Sequence, residues 1–65
     1  MPFIQVTMLQ GRTAEQKHDL IKKVSQATSD ALGVPIERVR MAIVEVTPDE
    51  WGMGGEPVAK VRPNG

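Results

Sequence analysis

Pro2 follows the initiator methionine, so removing Met1 would leave a chain that begins with a secondary amine. An α-amino group titrates far below a lysine. Burial and neighbouring cations both disfavour its protonated form, so a terminal proline on a rigid element can act as a neutral base. The other reading is that Pro2 merely permits removal of Met1. Arg12 precedes a helix start, where backbone N–H groups already favour anions. Arg38 and Arg40 stand two apart, which puts them on one side of a strand. An inward arginine on an apolar strand needs a carboxylate partner, and Glu45, Glu50 and Glu56 are candidates, within the chain or across an interface. Trp51, the only tryptophan, stands before Gly52-Met53-Gly54-Gly55 and can line a pocket or plug an interface. That glycine run lacks the lysine of a phosphate-binding loop. His18, at the edge of a helix stripe, reads as a structural or exposed histidine.

The elements that must hold these groups are short. Residues 2–9 alternate, with Ile4, Val6 and Met8 opposing Phe3, Gln5 and Thr7, and predict a strand. Gln10-Gly11-Arg12 breaks it. Thr13 and Gln16 fit a capping box. Leu20, Ile21, Val24, Ala27, Thr28, Ala31 and Leu32 recur at helical spacing, while Lys17, Asp19, Lys22, Lys23, Gln26 and Asp30 are expected to meet water. Gly33 ends this helix of about 19 residues in a left-handed conformation, and Pro35 prevents its resumption. Residues 38–47 read as a second strand, with Arg38, Arg40, Ala42, Val44 and Val46 on one face. Pro48-Asp49-Glu50 is a turn and Trp51 to Gly55 a tight turn or short hairpin. Residues 58–61 read as a short final strand and residues 62–65 as a loose tail. The class is α/β: a βαβ unit over residues 1–65 as one domain, with parallel long strands, a right-handed crossover and a short C-terminal hairpin.

Composition narrows the partners. The 65 residues carry eight basic and eight acidic side chains, so non-specific nucleic-acid binding is not expected. No apolar run spans a bilayer, and no basic segment precedes an apolar one at the N-terminus, so the expectation is a cytoplasmic protein without a membrane partner. The absence of cysteine and the single histidine remove disulfides, thiolate metal sites and imidazole clusters. A chain this short buries only ~60% of its unfolded surface. Self-association is then the remaining source of stability, because one helix covers only one face of a two-stranded sheet.

Several segments resemble the 4-oxalocrotonate tautomerase family, also called 2-hydroxymuconate tautomerases. They are Pro2 after Met1, Leu9-Gln10-Gly11-Arg12-Thr13 with Glu15-Gln16-Lys17, Val39-Arg40, Trp51-Gly52-Met53-Gly54-Gly55-Glu56, and Lys60-Val61-Arg62 for the terminal strand. The resemblance implies sheets joined in dimers, three dimers forming a hexamer, and active sites built from several chains. It implies Pro2 as general base and arginines at 12 and 40 that bind and polarise a dicarboxylate. It also implies a backbone N–H at Leu9 and an aromatic at Trp51, where phenylalanine is common. Arg38 and Arg62 acquire no role from it.

The implied reaction is a 1,5-proton shift that turns a 2-hydroxymuconate-type dienol into the conjugated 2-oxo-3-enoate, with no metal or cofactor. A dehalogenase of 3-haloacrylates would need a carboxylate to activate water, and the matching position is Met53, which cannot do that. The remaining alternatives are a related tautomerase acting on another enol or keto acid, and a non-catalytic oligomeric binding module.

Overall fold

The computed structural model describes residues 1–61. Strand β1 is Phe3–Leu9 and β2 is Arg40–Val46. They pair in parallel from Phe3 opposite Arg40 to Leu9 opposite Val46. The register puts Ile4, Val6 and Met8 beside Met41, Ile43 and Glu45 on one face, because side chains alternate along each strand. Helix α1, Ala14–Leu32, is the crossover between them.

Local chemistry sets the ends of α1. The Gln16 N–H donates to Thr13 Oγ1 and the Thr13 N–H donates to Gln16 Oε1, both at 3.0 Å, completing the expected capping box. Gly33 adopts φ 67° and its N–H donates to the Ser29 carbonyl at 2.9 Å. That conformation suits glycine, which has no Cβ to clash.

Two segments differ from the sequence expectation. Residues Ile36–Arg38 form a 3₁₀ turn, and the strand starts only at Arg40. Pro35 begins the turn at φ −60°, and the Arg38 and Val39 N–H groups donate back to Pro35 and Ile36. Residues Val58–Val61 form a helical turn, α2, instead of a final strand. It follows the hairpin of β3, Gly52–Met53, and β4, Glu56–Pro57, as expected for the glycine run between them. The hairpin and α2 leave Val58 only 1% exposed. The expected tail lies outside the described residues.

Lys17 is a third correction. It points at the sheet, and its Nζ lies 2.9 Å from Glu45 Oε1. The half-buried positions of α1 are Lys17, Leu20, Val24, Ser25, Thr28 and Ser29, a stripe more polar than the periodicity implied. Ile21, Ala27, Ala31 and Leu32 are exposed, Leu32 at 59%. Val39 and Val58 are the only buried apolar residues among those described.

Candidate active site

The two strands carry the sequence-derived candidates to opposite ends of the sheet. Pro2 is half-buried at the start of β1, and its carbonyl accepts the Arg40 N–H at 3.0 Å. This bond makes the backbones of Pro2 and Arg40 neighbours. The Arg40 side chain leaves on the face of Phe3, away from α1, and Nη1 donates to the Glu37 carbonyl. Sequence reasoning missed this tether, because a main-chain acceptor leaves no signature in residue type.

Leu9 lies at the far end, opposite Val46. The Gln10 N–H donates to the Val46 carbonyl at 3.0 Å. Backbone groups alternate in direction along a strand, so the Leu9 N–H points away from β2 toward the free edge of β1. Arg12 is exposed beyond it, after Gly11 turns the chain at φ 128°. Gln10 is eight residues from Pro2 along extended chain, or about 26 Å. Arg12 and Pro2 of one chain therefore do not share a site.

Trp51 is half-buried and follows a 3₁₀ turn, Pro48–Glu50, just past the end of β2. Its carbonyl accepts the Val58 N–H at 2.7 Å, so the most buried residue pins the tryptophan backbone. His18 is exposed on α1, as its place at the edge of the helix stripe predicts.

Among the described residues of one chain, none of the expected arginine–glutamate bridges forms. Glu45 is taken by Lys17, and Glu50 Oε1 accepts from Thr47 Oγ1 at 3.0 Å. Among the described residues the ion pairs are Lys17–Glu45 and Lys23–Asp19, so Arg12, Arg38 and Arg40 carry charge that no carboxylate neutralises. Exposed arginines without acidic partners are suited to anionic ligands, which their planar donor fork grips in pairs of hydrogen bonds. The Glu45 partner was readable in hindsight: it is the one charged residue on the helix-facing side of β2, and Lys17 precedes Leu20 by three.

Comparison with known proteins adds a lineage to this geometry. The sequence model of one family, described as tautomerase enzyme, matches residues 2–61. A 2-hydroxymuconate tautomerase of Pseudomonas sp. (strain CF600) is 48% identical over 62 residues, covering 95% of this chain and 98% of its own. A heterohexamer 4-oxalocrotonate tautomerase from Chloroflexus aurantiacus superposes with a TM-score of 0.90 at 42% identity, covering 95% of this chain and all of its own. TomN, a 4-oxalocrotonate tautomerase homologue of the tomaymycin biosynthetic pathway, superposes with a TM-score of 0.92 at 36% identity and 97% coverage of both chains.

Proposed function

The chain belongs to the tautomerase family and is an isomerase, and from that premise we propose that it converts 2-hydroxymuconate-type dienols to conjugated 2-oxo-3-enoates at a site shared between copies. The Pro2 nitrogen, freed by loss of Met1, takes the 2-hydroxyl proton and returns it at C-5. The double bonds shift in between, so atoms and electrons balance without a further reactant. Arg40 meets the 2-oxygen and stabilises the negative charge that develops there as the proton leaves. Arg12 clamps the other carboxylate, the outward Leu9 N–H donates to the bound acid, and Trp51 shields the site from water.

The observation that carries this reading is Arg40: its backbone is bonded to Pro2 while its guanidinium has no carboxylate partner among the described residues. The distance between Pro2 and Arg12 in one chain supports a site completed by neighbours. A homohexamer built as a trimer of dimers satisfies that need, and the Chloroflexus relative is a heterohexamer. Breakdown of aromatic compounds in the cytoplasm is the setting that fits such a substrate.

The test compares protein beginning at Pro2 with protein carrying a forced N-terminal extension, both assayed on 2-hydroxymuconate. An extension turns the nitrogen into an amide without a basic lone pair. The expected loss is ~10²–10⁴-fold, the range of positioned general-base catalysis. In the processed protein the rate rises with pH as the amine loses its proton. Equal rates for the two proteins would remove Pro2 as the base. Turnover of other enol acids with none of 2-hydroxymuconate would move the substrate elsewhere.

A further inference from the structure

Arg38 is left without a role by the reaction above, yet like Arg40 it has no carboxylate partner among the described residues. Both are exposed. Between them Val39 is extended, at φ −82° and ψ 129°, and is 9% exposed. The extended residue between them sets the Cα atoms of Arg38 and Arg40 about 6.6 Å apart, so two long cationic side chains start close together. Their backbone is held at both ends: the Arg38 N–H donates to the Pro35 carbonyl and the Arg40 N–H to the Pro2 carbonyl, each at 3.0 Å. No carboxylate pairs with either guanidinium among the described residues, and Glu37 between Pro35 and Arg38 supplies Arg40 with its carbonyl. Two like charges this close repel, and an anion between or in front of them relieves the repulsion.

We propose that Arg38 is a specificity-determining residue that, beside Arg40, selects dianionic over monoanionic acids. The inference rests on the shared-site reading above and adds a cation to it. A doubly charged acid feels the extra charge about twice as strongly as a singly charged one. The effect extends over roughly the Debye length, ~8 Å at physiological salt, and fades as salt is added. Arg38 belongs to a 3₁₀ turn braced by backbone hydrogen bonds, so its replacement leaves the sheet register intact.

The experiment needs no turnover. Dissociation constants for muconate and for sorbate, six-carbon dienes with two carboxylates and one, are measured by NMR titration on protein beginning at Pro2. Arg38→Gln is expected to weaken muconate about five- to tenfold and sorbate less than about threefold. Arg38→Lys is expected to recover most of the loss, and the muconate defect should shrink between ~20 mM and ~500 mM salt. Lys22→Gln, an exposed cation on α1, serves as the control and should leave the ratio unchanged. Equal weakening of both acids, an unchanged ratio in Arg38→Gln, or wild-type protein that does not prefer muconate would overturn the role of Arg38. These outcomes are separate from the fate of the proton-transfer reading, which the N-terminal extension decides by rate alone.

Discussion

Arg12 and Arg40 carry the same charge but stand in different relations to Pro2. Arg40 is bonded through its backbone to Pro2, whereas Arg12 lies past the far end of β1. The proposed chemistry gives Arg40 the charge that develops during proton transfer and gives Arg12 a carboxylate that is charged throughout. Arg40→Ala is therefore expected to lower turnover by ~10²–10³-fold, as loss of a transition-state donor does. Arg12→Ala is expected to raise KM for dicarboxylates by roughly 10–100-fold, the worth of a hydrogen bond to a charged group, with much less effect on monocarboxylates. Steady-state kinetics with both substrate classes checks this, and equal penalties in Arg12→Ala would contradict the clamp. Residue type alone left Arg38 and Arg40 alike, whereas resemblance to the tautomerase family singled out Pro2, Arg12, Arg40 and Trp51. Their spatial relation was not readable, because linear spacing does not say which copy supplies which group.

The strands and the helix were legible where periodicity and caps agreed. β1 and α1 had alternation or helical spacing over their whole length, and Thr13, Gln16 and Gly33 marked the helix ends. The misreadings fall where a segment is too short for periodicity to speak. Residues Val58–Val61 have apolar side chains at three positions that suit a strand or one helical turn equally. Burial of Val58, whose N–H donates to the Trp51 carbonyl, goes with the turn. Arg38 and Val39 extend the alternation of β2 by accident, while Pro35 dictates the turn that takes in Arg38. The Lys17–Glu45 pair joins the first turns of α1 to β2, with 27% and 32% of the two side chains exposed. Lys17→Met leaves a half-buried carboxylate alone on the apolar face and is expected to cost about 1–3 kcal/mol. Lys17→Met with Glu45→Leu removes both charges and is expected to recover most of that. Urea unfolding at fixed protein concentration measures both, and a double variant as weak as the single one would contradict the pairing argument.

One chain is incomplete as a globule. Its radius of gyration is 14.8 Å, against about 11 Å for a compact domain of this length. Its extents are 43 × 24 × 13 Å, the thickness of a single helix on a single sheet. The accessible surface is 4900 Å², where a monomer of 7.1 kDa is expected to show about 4100 Å². The face of the sheet away from α1 leaves Phe3 64% and Val44 40% exposed. The deficit of core was readable from length and the absence of cysteine, and the uncovered faces are where it lies. The same copies that bury these faces are proposed to bring Arg12 to a Pro2 it cannot reach within its own chain. Mixing two defective chains tests that claim directly. One carries the N-terminal extension and so lacks the base; the other is Arg12→Ala and lacks the clamp. The two are unfolded and refolded together, then assayed on 2-hydroxymuconate below the KM of the Arg12→Ala protein. If sites form between copies, roughly one site in four receives a free Pro2 and an intact Arg12, and activity rises well above the sum of the separate proteins. Activity equal to that sum would contradict a site shared between chains.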